Sequence, residues 1–313
     1  MKVSVVIPCY NGEAFIAEAV RSALAQSGEI ECLVVDDASS DSSREIILAL
    51  ARQDGRVKPL LLDENGGPSV ARNRGLDEAD GDWIALLDAD DYYRPDRLEK
   101  LLQVAEACQA DIVIDNISRF HPDGRLEESA FKFLTGAKAC IIPLAEFCRL
   151  NIATGWGLSI GFSKPIFRRE FLSRHALRLN PQYRVGEDYL LLAECLMRGA
   201  RLAATPYCGY VYRVVPSSLS RTLRLADLKG LCEIHDRLLT YPAAREGSVR
   251  RHLSAQKRNV RRYTELRKLK RLLKRGRYFP ALKVLAGHPG IGLLAMPMLQ
   301  RRVLRLFGRT AHV

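Results

Sequence analysis

The sequence predicts an α/β protein built on a mostly parallel sheet flanked by helices, with a helical, basic C-terminal extension. Three observations lead there. Apolar β-branched runs alternate with helical periodicity through roughly the first hundred residues; each run breaks at a polar loop rich in Gly, Asn or Asp; and positive charge gathers at the C-terminal end.

Val3-Ser4-Val5-Val6-Ile7 reads as a strand that stops at Pro8-Cys9-Tyr10-Asn11-Gly12, after which Phe15, Ala19, Ala23 and Leu24 recur at helical spacing. Cys32-Leu33-Val34-Val35 runs into Asp36-Asp37-Ala38-Ser39-Ser40-Asp41, and Ile46, Ile47, Leu50 and Ala51 open another helical face. A third run, Val57 to Leu62, passes through Gly66-Gly67 into Ala71-Arg72-Asn73-Arg74-Gly75. The fourth, Trp83 to Leu87, ends in Asp88-Ala89-Asp90-Asp91, ahead of a helix start at Pro95-Asp96-Arg97-Leu98. Such alternation implies right-handed crossovers and a sheet whose ligands gather at the strands' carboxyl ends, the edge that carries Asp36, Asp37, Asp88, Asp90 and Asp91.

Clustered carboxylates at a strand end repel one another and are costly to desolvate without a cation, and an oxygen-only ligand set suits Mg²⁺ or Mn²⁺. The competing reading is that one acid caps the following helix and the others are solvated loop charges.

In order and spacing, the opening Val-Ser-Val-Val-Ile-Pro-Cys-Tyr-Asn-Gly, the Val-Val-Asp-Asp-Ala-Ser-Ser-Asp block, Asn65-Gly66-Gly67 with Ala71-Arg72-Asn73, and Leu87-Asp88-Ala89-Asp90-Asp91 resemble the family 2 glycosyltransferases of the GT-A fold. The resemblance is close over roughly a hundred residues, looser to Thr222, and absent from the basic C-terminus. It implies transfer of a sugar from a nucleotide diphosphate-sugar, a UDP-sugar by default, to an acceptor hydroxyl. Pro8, Tyr10, Asn11 and Glu13 match the loop that holds the nucleoside. Asp37 matches the acid that accepts a hydrogen bond from the base, Arg72 a basic position that helps hold the nucleotide, Asp88 the ribose contact and Asp90 the ligand of the diphosphate-bound metal. Asp36 and Asp91 read as supporting or capping acids.

Gly186-Glu187-Asp188, ahead of the helical run from Tyr189, resembles the family's acidic base motif and makes Asp188 the catalytic base, with Glu187 beside it on the acceptor side. Single displacement by a base-activated hydroxyl inverts the anomeric centre. Tyr210-Val211-Tyr212-Arg213, with Pro216 to Ser220 behind it, resembles a segment that closes over the diphosphate, where Arg213 supplies positive charge. Trp156, between glycines, reads either as a platform for an acceptor sugar or as a core residue.

The chain has 313 residues and a net charge of +12, unevenly placed: residues 245–313 carry 19 Lys or Arg against two Glu, a net of +17, and the remainder is at −5. Basic pairs from Arg250-Arg251 to Lys274-Arg275 recur at helical intervals around Leu266, Leu269, Leu272 and Leu273, which reads as a basic amphipathic helix suited to an anionic membrane surface. Nucleic acid is the weaker alternative, because stacking aromatics are sparse there, and a solvated helix packed on the catalytic body is a further one. Eight cysteines without a Cys-x-x-Cys pair and with mostly apolar neighbours read as reduced, buried thiols. With no signal-like opening and no apolar run of about twenty residues, the expected place is the cytoplasm, peripheral on the inner membrane face.

The expected organisation is a catalytic domain over 1–222, with a nucleotide-sugar half (1–115) and an acceptor half (116–222), followed by a basic helical region over 223–313. The expected task is extension of a lipid-linked glycan for exopolysaccharide or lipopolysaccharide. The alternatives are a nucleotidyltransferase, whose usual Gly-rich opening loop is missing here, and a non-catalytic membrane or nucleic-acid adaptor.

Overall fold

The computed structural model describes residues 1–129, 131–134, 138–151, 160–215 and 223–287. Trp156, the serine segment at 216–220 and residues 288–313 lie outside the described residues.

Strands β1 (Lys2–Cys9), β2 (Glu29–Asp36), β3 (Val57–Leu61) and β4 (Trp83–Leu86) form a parallel half-sheet in the order β3-β2-β1-β4. The crossovers are helices α1 (Ile16–Leu24), α2 (Ser43–Gln53) and α3 (Pro68–Glu78). Each central strand is buried along nearly its whole length because helices or further chain cover both faces, so the strands read as continuous apolar runs and not as alternating ones. Helix α3 approaches β1 closely: a Cβ on Gly75 would stand 2.4 Å from Val6 Cγ1, so glycine sets that helix-to-sheet distance.

Beyond β4 the chain forms β5 (Tyr92–Tyr93), α4 (Arg97–Ala107), β6 (Ile112–Phe120), β7 (Leu126–Glu127), β8 (Cys140–Ile141), α5 (Leu144–Leu150), β9 (Ile166–Arg168), α6 (Arg169–Arg174), α7 (Glu187–Met197) and β10 (Leu202–Arg213). The sheet continues β4-β9-β6-β10-β5, with β7 on β6 and β8 on β10. Strands β6 and β10 pair in parallel, whereas short β9 runs antiparallel to both β4 and β6 and joins the two halves. Strand β10 is therefore interior, flanked by β6 and β5.

Helices α8 (Leu225–Leu238), α9 (Gly247–Lys274) and α10 (Tyr278–Gly287) follow. Val249 and Leu253 of α9 are fully buried in the same core as the sheet, while Leu269 and Leu273 pack with Ala281 of α10 in a small separate cluster. A buried polar knot ties α9 to the body: Gln256 Oε1 lies 2.9 Å from His235 Nε2 and accepts from Tyr189 Oη at 3.3 Å. No described helix is long and apolar enough to cross a membrane.

Candidate active site

Two loops at the carboxyl ends of β1 and β2 knit together. The Asn11 N–H donates to Ser39 Oγ at 3.0 Å, Asn11 Oδ1 accepts the Ser40 N–H at 2.9 Å, and Glu13 accepts the Ser42 N–H at 2.9 Å. Asn11 takes a left-handed backbone (φ 50°), which asparagine tolerates better than most residues. The first loop starts after Pro8 and Cys9 at the end of β1 and leaves Tyr10 53 % exposed at this edge.

Asp37 is buried, and its two oxygens each accept a backbone N–H, from Gly66 and Gly67 at 2.8 Å. These bonds set the turn in which Gly67 (φ 83°) precedes Pro68 at the start of α3. Asp36 is held by Arg44 Nε at 2.9 Å.

Arg72, buried on α3, is the hub. Its Nη2 donates to Asp88 Oδ1 at 2.6 Å, its Nη1 donates to Glu187 Oε1 at 3.1 Å, and Nη1 stands 3.4 Å from Asp188 Oδ1. Lys164 forms the second bridge, with Nζ 2.8 Å from Asp88 Oδ2 and 2.9 Å from Asp188 Oδ2. Gly186 (φ 93°) turns the chain so that Glu187 and Asp188 open α7 and face the strand end of β4. Burial opposes ionisation of both aspartates, yet Arg72 and Lys164 overcome it and hold Asp88 and Asp188 below the usual carboxylate range. Glu187 goes the other way: burial and the neighbouring Asp188 charge push it up to about 7. Asp188 Oδ1 is buried without a hydrogen-bond partner among the described residues, an arrangement that is costly in a group with no task.

On the other side of Asp88, burial and the Asp88 charge raise the proton affinity of Asp90. Asp91 is buried, accepts Tyr210 Oη at 2.6 Å and the Arg213 N–H at 2.8 Å, and supports the loop from within. Arg213 Nε donates to the Asp90 carbonyl at 3.0 Å and its Nη2 to Glu18 at 2.6 Å, so the guanidinium borders the acidic loop. No group of three or more His, Cys, Asp or Glu side chains assembles a metal cage among the described residues. The donor chemistry fits a divalent ion, for which Asp90 would be a hard oxygen ligand: a carboxylate whose charge is unfavourable alone is relieved by a cation.

The Glycosyl transferase family 2 model matches residues 4–171, more than half of the chain. The chain belongs to the family 2 glycosyltransferases. This glycosyltransferase is 36 % identical to the succinoglycan biosynthesis protein ExoO of Rhizobium meliloti (strain 1021), over 99 % of its own length and 88 % of ExoO. Among solved structures it resembles residues 1–349 of S. aureus TarS in complex with UDP-GlcNAc, with a TM-score of 0.68, 18 % identity, and coverage of 93 % of this chain and 92 % of the other. The mannosyltransferase PcManGT from Pyrobaculum calidifontis, in complex with GDP-Man and Mn²⁺, matches with a TM-score of 0.58 and 20 % identity, over 95 % of this chain and 79 % of that one. At such identities the two structures establish the GT-A architecture.

Lys164 is the site residue to which sequence reasoning gave no role of its own. Strand β9 runs antiparallel to β4 with Ile166 opposite Ala85, so the residues just before β9 lie beyond the carboxyl end of β4, where Lys164 meets Asp88. Its one sequence signal is a lysine set against the apolar Pro165-Ile166-Phe167 run.

Proposed function

We propose that this glycosyltransferase moves a sugar, with inversion, from a nucleotide diphosphate-sugar to a hydroxyl of a lipid-linked glycan during exopolysaccharide or lipopolysaccharide synthesis. The observation that carries the reading is the shared cluster of Asp88, Arg72, Lys164 and Asp188, which joins the donor-side strand end to an ionised carboxylate at the start of α7. Pro8, Tyr10, Asn11, Glu13 and Asp37 border the nucleoside, Asp88 meets the ribose, and Arg72 and Arg213 bring positive charge to the donor. A divalent ion, Mg²⁺ or Mn²⁺, held by Asp90 would shield charge on the departing diphosphate. Asp188 accepts the acceptor's proton as that hydroxyl attacks the anomeric carbon from the face opposite the leaving group, with Glu187 beside it on the acceptor side.

The similarity to ExoO supports exopolysaccharide assembly, and the TarS ligand supports a UDP-sugar. The Mn²⁺ in PcManGT supports a divalent ion. Residues 1–222 form the catalytic unit in this reading, and 223–313 dock it on the cytoplasmic face of an anionic membrane through the exposed basic side of α9.

The test is Asp188→Asn, which keeps size and some hydrogen bonding but cannot take the proton. Donor affinity should persist while turnover falls by about a hundredfold or more, and NMR of the wild-type product should show the anomeric configuration inverted. Undiminished turnover in the variant, or a retained configuration, would overturn the mechanism.

A further inference from the structure

Lys164 belongs to that cluster without a task of its own in the reading above, yet the residue is buried and its ammonium lies within 3 Å of two aspartates, Asp88 Oδ2 at 2.8 Å and Asp188 Oδ2 at 2.9 Å. Immobilising a lysine stem costs rotamer entropy, so a buried lysine in one geometry needs a reason. Its backbone is anchored as well. The Lys164 carbonyl accepts Arg97 Nη2 at 2.5 Å, and Arg97 is itself fixed by Asp115 through contacts of 2.9 and 2.8 Å, with its guanidinium 4.4 Å from the Tyr93 ring centroid. Arg97 and Asp115 are essentially inaccessible, so the lysine starts from a rigid base.

We infer that Lys164 is the positioning residue for Asp188: it sets the distance between the carboxylate of the donor half and that of the acceptor half, and holds Asp188 in place as proton acceptor. This rests on the assignment of Asp188 as the base. Arg72 alone does not do the work, since it reaches Asp188 only at 3.4 Å and is shared with Glu187. A lysine at this place loads Asp188 from the β9 side while Arg72 loads it from α3, so the carboxylate is gripped from two elements.

The experiment compares Lys164→Met, Lys164→Arg, Asp188→Asn and the Lys164→Met/Asp188→Asn double variant for kcat, KM and donor affinity by thermal shift, using UDP-sugars as probes. Lys164→Met should lower kcat about tenfold or more, with a smaller change in the donor dissociation constant, and Lys164→Arg should recover part of the loss. The double variant should turn over within about twofold of Asp188→Asn, because a residue acting through Asp188 has nothing left to position. Losses that multiply in the double variant would overturn the inference, as would full kcat in Lys164→Met. If Lys164→Met does not fold, the comparison of Lys164→Arg with and without Asp188→Asn decides by the same rule. Full turnover in Asp188→Asn would instead sink the base assignment, an outcome read from that single variant.

Discussion

Asn73 on α3 grips the backbone of Leu179 with both ends of its amide: Nδ2 donates to the Leu179 carbonyl at 2.8 Å and Oδ1 accepts the Leu179 N–H at 2.9 Å. Arg72, one residue earlier on the same helix, holds Asp88 and Glu187. One helix therefore orients the donor-side strand end and also pins the segment that leads into Gly186-Glu187-Asp188.

Asn73→Ala leaves a backbone donor and a backbone acceptor without their partner, each worth about 1–3 kcal/mol when buried. The expected outcome is a loss of about 2 kcal/mol in urea unfolding and a drop in kcat larger than the change in donor affinity, as the segment before Asp188 loosens. Wild-type stability in the variant would show that the clamp contributes nothing.

The sheet edge was legible because an apolar run that meets a polar loop has one plausible geometry. Asp36 and Asp88 were placed at strand ends from that alone, and they stand there. The link between Asp88 and Asp188 was not legible, because it depends on β9 entering antiparallel between β4 and β6, and Ile166-Phe167-Arg168 is too short to announce a strand. The part of strand β10 before Tyr210 hid for another reason. Its register shifts between Thr205 and Tyr210, around Pro206 and Gly209, residues that argue against a central strand in any sequence reading. In the tail, charge periodicity was plain, but the buried stripe of Val249, Leu253, Gln256 and Val260 was not, since a 28-residue helix dominated by Arg and Lys masks a stripe with only three apolar residues.

Glu31 gives a pH test far from the catalytic cluster. Burial works against its ionisation, but Lys58 Nζ at 2.5 Å, the Ser4 hydroxyl and the Asp80 N–H at 3.1 Å overcome this and draw it from the usual 4.5 to about 2. A carboxyl depressed in the folded state contributes stability that is fully present above the unfolded value and lost as pH falls through the folded one. Glu31→Gln should therefore cost on the order of 3 kcal/mol at pH 7, with the gap to wild type closing between pH 4.5 and 2. Parallel stability curves over that window would refute the assignment.

Asp90 carries the metal test. Its charge is disfavoured by burial and by Asp88, so Asp90→Ala should leave thermal stability unchanged or raised in the absence of ligand. The same variant should lose the Mn²⁺-dependent part of the stabilisation by a nucleotide-sugar, a stabilisation that totals near 3 kcal/mol for a ligand at about a hundred times its dissociation constant. Excess chelator should do the same to the wild type. Equal donor-induced shifts with and without metal would count against a metal at this position.

The tail test separates charge from apolar contact. Arg261, Arg262, Lys270 and Arg271 are all exposed on α9, and Tyr278, Phe279 and Leu282 of α10 are 52 %, 70 % and 61 % exposed beside Arg277 and Lys283. Basic residues near an anionic bilayer contribute about 1 kcal/mol each, so reversing those four charges should release the protein from anionic vesicles while turnover of soluble acceptor analogues continues. Raised salt should weaken binding of the wild type as the Debye length shrinks. It should not abolish it, because a buried Phe or Leu side chain is worth about 1.5–3 kcal/mol independent of salt. Phe279→Ser with Leu282→Ser should thus remove the salt-resistant part alone and leave the catalytic core intact, since neither side chain belongs to it. Equal binding of the wild type to neutral and anionic vesicles would sink the electrostatic claim, and salt-resistant binding that survives the double serine change would sink the apolar one.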